Sequence, residues 1–257
     1  MTSRMTYVVQ RTPLHPGTWS TRTQTAARRL IAECTGTFGL VFFGAGAATI
    51  DTATSGSLGR VGIGLTFGLA VTAMILVFGR ISGAHINPAV TFALWRAGHF
   101  PGRRAVTNVV AQLIGCLLAA SVLHGLFRNT GGDLGATLPA GELWQSFGLE
   151  IVLTFILIYA ILAVAHQRQS SLEVVAIVAG IIVGLEATFA GGISGASMNP
   201  ARSFGPAAIG WEWNSHWIYW VAPAIGAGLA VGLHVLLRPP AENAEDNEKA
   251  PRQTKAK

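Results

Sequence analysis

Residues 194–206 read Ser-Gly-Ala-Ser-Met-Asn-Pro-Ala-Arg-Ser-Phe-Gly-Pro, and residues 82–91 carry a near copy, Ser-Gly-Ala-His-Ile-Asn-Pro-Ala-Val-Thr. In each copy Asn precedes Pro, which is typical of a helix start with Asn as the N-cap and Pro at the first helical position. Asn199 lies 112 positions after Asn87 in a chain of 257 residues, close to half its length. We therefore predict an internal repeat and a two-fold architecture.

The composition is that of a membrane protein. Hydrophobic residues make up 51% of the chain and charged residues only 12%, with 31 glycines, whereas a soluble domain carries about 25% charged residues. The net charge of +6 does not indicate nucleic-acid binding, because no polar segment combines a basic stripe with aromatic residues. Basic residues in a membrane protein mostly mark cytoplasmic loops.

Two cysteines, Cys34 and Cys116, lie inside apolar runs. This placement argues against a disulfide framework, and no Cys/His spacing is typical of a metal site. We expect neither a metal nor another cofactor.

Both ends of the chain are polar. The amino-terminal segment has several Arg and no acidic residue before Glu33, which resembles a transit peptide, but we interpret residues 1–28 as a disordered cytoplasmic tail without a secretory signal. Residues 238–257 are predicted to be a second cytoplasmic tail.

Six apolar runs are long enough, at about 20 residues, to cross a hydrocarbon core of about 30 Å. They cover roughly 30–50, 58–79, 105–127, 146–166, 172–190 and 216–237. Arg residues are frequent before the first run and in 80–104, and absent from 51–57. The positive-inside rule therefore predicts a multi-pass protein of the cell membrane with both termini in the cytoplasm.

Two apolar pieces remain, Asn87 to about Trp95 and Asn199 to about Ile209. At 1.5 Å per residue they reach about 13 and 16 Å, close to half the membrane each. Entering from opposite sides, they would meet near the midplane. The predicted fold is an all-α membrane protein with six transmembrane helices and two re-entrant half-helices in an inverted repeat. Repeat 1 covers about 29–127 and repeat 2 about 146–237, within a channel domain of 29–237.

Two half-helices that meet at their amino ends bring positive dipole ends and Asn amides to one point, which repels cations. A water molecule accepting from both amides would have its protons turned outward, which interrupts proton conduction. The small residues before each Asn let backbone carbonyls line a narrow path. Small-xxx-small pairs, Gly64/Gly68, Gly180/Gly184 and Gly228/Gly232, are typical of close helix packing.

The paired Asn-Pro-Ala boxes, the Ala-Glu-x-x-Gly-Thr-Phe start at 32–38 and the string Asn-Pro-Ala-Arg-Ser-Phe-Gly-Pro closely resemble the aquaporins, or major intrinsic proteins. The resemblance covers about residues 29–237. Within the family, the boxes are most similar to the plant nodulin-type intrinsic proteins and their bacterial relatives. The resemblance implies a homotetramer in the lipid bilayer with one pore per subunit.

The resemblance also implies which residues form the pore. The boxes are Asn87, Pro88, Ala89 and Asn199, Pro200, Ala201, and the pore-lining loops include Gly83, Ala84, His85, Gly195 and Ser197. The implied selectivity filter consists of Phe67, Ala187, Ala196 and Arg202. Strict water channels usually carry His where this chain has Ala187, so we expect a wider filter that is more apolar on two sides.

Three acidic residues lie in apolar surroundings: Glu33, Glu150 and Glu186. An intramembrane carboxylate costs about 2.5–3.5 kcal/mol on insertion scales, so each needs a partner or a task. Glu33 and Glu150 are repeat mates, and the family uses such carboxylates to accept backbone N–H groups of the re-entrant segments. Proton relay is the alternative. Glu186 has no mate and would either line the outer vestibule or brace the second box. For His85 we prefer a locally bonded, pore-lining role over pH gating or metal binding.

The predicted function is a passive channel for water and small neutral solutes such as glycerol, urea or undissociated metalloid acids, which excludes protons and ions. A proton-coupled secondary transporter is the alternative, since it too uses inverted repeats and broken helices. An enzyme is not expected, because no acid pair, Ser/His/Asp set or metal-ligand spacing supports one.

Overall fold

The structure is a computed structural model that describes residues 21–127, 133–166 and 170–237. All regular secondary structure in these ranges is helical. The eight helices are α1 (Thr21–Ala53), α2 (Gly59–Ser82), α3 (Pro88–Arg96), α4 (Gly102–Phe127), α5 (Leu143–Ala165), α6 (Leu172–Ala190), α7 (Pro200–Gly210) and α8 (Ile218–Leu237). Helix α1 begins at Thr21, so residues 21–28, which we expected in the amino-terminal tail, continue the first helix instead. Hydrogen bonding along a helix does not stop where its apolar run ends. Residues 1–20 and 238–257, the rest of the predicted tails, lie outside the described residues.

Six of the helices, α1, α2, α4, α5, α6 and α8, are long and apolar enough to cross a membrane. Each overlaps almost all of one of the six predicted apolar runs, which confirms that part of the prediction. Six successive crossings place the start of α1 and the end of α8 on one side, which we call the terminal face. The opposite side is the distal face.

Helices α3 and α7 are the two half-helices, with nine and eleven residues. Each begins at a Pro whose preceding Asn has an extended backbone and accepts a hydrogen bond from the second residue after it, as an N-cap does. The N-cap bond is local in sequence, which is why both helix starts were predictable. The half-helices meet at these starts, and the predicted fold is confirmed.

Close approach of α2 and α6 depends on glycine. A Cβ added at Gly68 would lie 2.5 Å from the carbonyl oxygen of Gly180, and one at Gly64 would lie 2.7 Å from that of Gly184. The prediction for Gly228/Gly232 is wrong within the described chain, because a Cβ at Gly228 or Gly232 would meet nothing within 4 Å. The pattern of small residues is the same in all three pairs, but only the rotation of each helix decides which pair faces a neighbour.

The distal face carries a belt of tryptophans near the starts of α5 and α8. Trp144, Trp211, Trp213 and Trp217 are all exposed, as is usual for aromatic residues at the level of lipid headgroups. His216 lies among them, and burial lowers its pKa below the usual value. Its Nε2 accepts a hydrogen bond from the Trp220 indole at 3.2 Å, which the neutral ring can do.

Candidate solute pore

The centre of the molecule is built by the two N-cap asparagines, which cross-link the two re-entrant segments. Asn87 Nδ2 donates to the Met198 carbonyl at 2.9 Å, and Asn199 Nδ2 donates to the Ile86 carbonyl at the same distance. Their Oδ1 atoms accept from the backbone N–H groups of Ala89 and Ala201. Because only one of the two amide N–H groups of each asparagine is used in this way, each side chain retains one further N–H for a molecule in the adjoining cavity.

The loops before the asparagines hold an unusual backbone that repeats with the same offset of 112 residues. Gly83, Ala84 and Ile86 have φ of 96°, 43° and 45°, and Gly195, Ala196 and Met198 have φ of 83°, 42° and 50°. Left-handed backbone is unfavourable for Ala and especially for the β-branched Ile86. Surrounding structure must therefore hold it in place.

Two buried carboxylates hold these loops. Glu33 accepts from the N–H groups of His85 and Ile86 at 3.0 and 2.9 Å, and it also accepts from the Gln112 side chain at 2.7 Å. Both carboxylates, Glu33 and Glu150, are completely shielded from solvent.

Glu150 occupies the matching position in the second repeat. It accepts from the N–H groups of Ser197 and Met198 at 2.8 and 2.9 Å and from the Ser194 hydroxyl at 2.7 Å. Each loop thus delivers two consecutive backbone N–H groups to one carboxylate.

His85 has a clear counterpart in the second half. Its Nδ1 lies 3.1 Å from the Thr91 hydroxyl, and 112 residues later the Ser197 hydroxyl bonds that of Ser203. In both halves, therefore, the side chain at this position forms a hydrogen bond to a hydroxyl six residues further along the same segment. Among the described residues no group of three or more metal-ligating side chains occurs.

Two cavities meet along the molecular axis. The central cavity, about 440 Å³, extends from the filter positions past both asparagines to the start of α4. The distal cavity, about 280 Å³, opens towards the distal face. Phe67 and Arg202 line both cavities, so these two side chains mark the boundary between them.

The four predicted filter positions all line these two cavities. The Arg202 guanidinium carbon lies 4.9 Å from the centre of the Phe67 ring, and both residues are buried. Ala187 lines the distal cavity and Ala196 the central one. The remaining loop residues are divided in the same way: Gly83, Ala84, His85 and Ser197 line the central cavity, and Gly195 lines the distal cavity.

The anchor of Arg202 was not predicted from the sequence. Arg202 Nη1 donates to the Gly135 carbonyl at 2.6 Å, in the segment between α4 and α5. Asp133 Oδ1 accepts from the Gly135 N–H at 3.1 Å and shapes that turn. Gly135, at φ 67°, follows Leu134, at φ 56°. A Gly two residues after an Asp is a turn signal, but nothing in it points to an arginine 67 positions away.

Glu186 is buried but differs from the other two acids. In the part of the chain that the structure describes, neither of its carboxylate oxygens has a hydrogen-bond partner. It lines neither the central nor the distal cavity. The structure therefore does not place it in the vestibule, although it adjoins Ala187 in sequence.

Comparison with known proteins now decides the family. The family model described as major intrinsic protein matches residues 20–234. The chain belongs to the major intrinsic protein family. Since this is a family of aquaporin-type membrane channels, the chain is an aquaporin-family channel.

Relatives of this aquaporin-family channel come from plants and archaea. It is 40% identical to "Aquaporin NIP1-1" from Zea mays over 211 residues, which is 82% of this chain and 75% of the relative. It is 41% identical to "Aquaporin AqpM" from Methanothermobacter marburgensis over 231 residues, covering 79% of this chain and 94% of the relative. The predicted resemblance to the family and to its nodulin-type members is confirmed.

A solved structure of similar fold is the aquaglyceroporin from Plasmodium falciparum. It matches with a TM-score of 0.74 at 28% identity, over 81% of this chain and 95% of that one. The similarity extends across nearly the whole of the solved protein, so the eight-helix arrangement is similar to that of this neighbour.

Proposed function

We propose that this aquaporin-family channel passes water and small neutral solutes, such as glycerol, urea or undissociated metalloid acids, and excludes protons and ions. The observation that carries this proposal is the boundary between the two cavities. There Phe67 and Arg202 are the bulky groups, while Ala187 and Ala196 contribute only methyl groups. A solute that fits has hydroxyl or amide groups that hydrogen-bond to Arg202, and glycerol also has a carbon skeleton that contacts the apolar surface.

The size argument rests on Ala187. An imidazole here would fill space beside Phe67 and offer a further hydrogen-bond donor to water. A methyl group does neither, so a three-carbon polyol meets less steric resistance and water gains no extra partner. The relatives named aquaporin and the structure named an aquaglyceroporin are compatible with such a substrate class.

We assign the exclusion of protons and cations to two places, the point where the half-helices α3 and α7 meet and the filter. The amino ends of α3 and α7 each contribute about half a positive charge, and the remaining N–H groups of Asn87 and Asn199 can orient a water molecule there. Arg202 adds a full positive charge at the boundary of the cavities. A cation would face both barriers, and among the described residues that line the central cavity there is no Asp or Glu to offset the positive charges.

Glu33 and Glu150 are assigned a scaffolding role, because each accepts two backbone N–H groups of a strained loop. Proton relay is not favoured, because neither carboxylate lines the central or the distal cavity.

We further propose that the terminal face is cytoplasmic. Arg28, Arg29, Arg80, Arg96, Arg103 and Arg104 all lie at helix ends on that side. A homotetramer of four separate pores is proposed from the family alone.

The test is a flux comparison in proteoliposomes under osmotic gradients. Water, glycerol, urea and arsenous acid are followed side by side, with empty liposomes as control. We expect all four fluxes to exceed those of the control and to be unaffected by a protonophore. Solute uptake that requires a pH gradient would contradict the channel and support a proton-coupled transporter.

The filter assignment has its own test in Ala187→His. We expect this variant to lower glycerol flux more than water flux, because the imidazole ring would occupy part of the opening between the two cavities. Arg103→Ala, at an exposed position on α4, is the matched control and should change neither. Equal loss of both fluxes in Ala187→His would show that Ala187 is not a filter residue.

A further inference from the structure

The central cavity is lined near each of its two ends by an Arg–Phe pair. At the distal end the Arg202 guanidinium lies 4.9 Å from the centre of the Phe67 ring. At the terminal end the Arg104 guanidinium lies 5.1 Å from the centre of the Phe100 ring. All four residues line the cavity. Neither Phe100 nor Arg104 belongs to the repeated boxes, and the sequence alone did not single them out.

Phe100 is held from two sides. Its ring stacks on the His85 imidazole, with centres 5.2 Å apart and planes 23° from parallel, while Arg104 covers it as a cation–π partner. His85 is itself fixed, by Glu33 through its backbone N–H and by Thr91 through its ring. The ring of Phe100 therefore cannot turn away from the cavity without losing one of these two contacts.

The positive charge of Arg104 does not stabilise the helix to which it belongs. It lies in the first turn of α4, which begins at Gly102, and a positive side chain is unfavourable near the amino end of a helix. Its Nη2 donates to the Ser82 carbonyl at 2.9 Å at the end of α2. Its Nε is buried and has no partner within the described ranges. The guanidinium of Arg104 thus lies over the Phe100 ring at the end of the cavity, although its positive charge destabilises the start of α4.

We propose that Phe100, Arg104 and His85 form a second constriction of the pore, at the terminal end of the central cavity. It selects the same class of solute as the Phe67–Arg202 boundary, small neutral hydroxylated molecules, and does so by size. This inference rests on the proposed channel function, because it concerns the path of the same solutes.

Two constrictions in series have a distinctive signature. Their resistances add, so widening one has little effect while the other remains narrow, and widening both has a large effect. Adding or removing one methylene group where a solute fits closely changes the free-energy barrier by about 1–3 kcal/mol, which corresponds to roughly tenfold or more in rate. Erythritol, one hydroxymethylene unit longer than glycerol, is therefore the probe, and water flux reports that each variant is folded and inserted.

The decisive comparison uses Phe67→Ala, Phe100→Ala and the double variant in proteoliposomes. We expect erythritol flux in the double variant to exceed that of either single variant by about tenfold. Arg104→Ala in the Phe67→Ala background should also raise it, because it removes the other large side chain at the terminal end. Phe43→Ala, at a position 52% exposed on α1, and Arg103→Ala are the matched controls and should leave erythritol flux unchanged in that background.

A larger side chain at position 100 provides a second test, which does not depend on whether the alanine variant folds. Phe100→Trp should lower glycerol flux several-fold in the otherwise unchanged channel and reduce water flux less. The second constriction is overturned if Phe100→Ala leaves erythritol flux unchanged both alone and in the Phe67→Ala background. A different result separates the two proposals: if Phe100→Ala alone gives the full increase and Phe67→Ala adds nothing, the terminal constriction stands and the filter assignment under the proposed function fails.

Discussion

Glu33→Ala should be one of the most destabilising single changes in this channel. The carboxylate of Glu33 accepts from the N–H groups of His85 and Ile86 and from the Gln112 amide. All three donors belong to buried residues, so no solvent replaces the lost acceptor.

The expected loss in the free energy of unfolding follows from the buried N–H donors that would lose their acceptor. A buried donor without an acceptor costs about 1–3 kcal/mol, so the two backbone N–H groups together imply a loss of about 2–6 kcal/mol. The left-handed backbone of Ala84 and Ile86 stays strained, at φ of 43° and 45°, and now lacks the bonds that hold it. We therefore expect water flux to fall together with stability, as the loop that carries Asn87 loses its shape.

The assay is reversible unfolding in mixed micelles, followed by stopped-flow measurement of water flux in proteoliposomes. Glu173→Ala is the matched control, since this carboxylate lies on the surface in an ion pair with Arg80 at 2.7 Å. Solvent screens an exposed ion pair strongly, so the control should change little. A free energy of unfolding for Glu33→Ala within about 1 kcal/mol of that control would refute the scaffolding role.

Two further predictions concern packing and the unpaired acid. Gly68→Ala should destabilise the channel by about 1–3 kcal/mol, because its Cβ would lie 2.5 Å from the Gly180 carbonyl oxygen; Gly228→Ala, whose Cβ meets nothing within 4 Å, should stay within about 0.5 kcal/mol. Thermal unfolding of the two variants side by side checks this, and equal shifts would contradict it. Glu186→Met should keep or raise stability, by up to about 1–3 kcal/mol, because it removes a buried polar group that has no hydrogen-bond partner in the described part of the chain. A clear loss of stability or of flux in that variant would show that Glu186 has a task which its contacts do not reveal.

The sequence by itself determined the features that depend on local chemistry. Each spanning helix is a continuous apolar run, and its length is set by the membrane rather than by its neighbours. The starts of α3 and α7 were equally predictable, because an Asn N-cap followed by Pro satisfies the first helical N–H groups within a few residues. The repeat then followed from the spacing of the two boxes, and with it the meeting of the half-helices.

The tertiary structure alone decided which side chains meet across long distances in the chain. The contact of Arg202 with Phe67, the Gly135 carbonyl that anchors Arg202, and the stack of Phe100 on His85 all join different elements. Each contact depends on the rotation and height of a whole helix relative to its neighbours, and small residues or turns are compatible with several such placements. The same reason explains why Gly68 packs on α6 while Gly228 meets no neighbour, although both stand in the same sequence pattern.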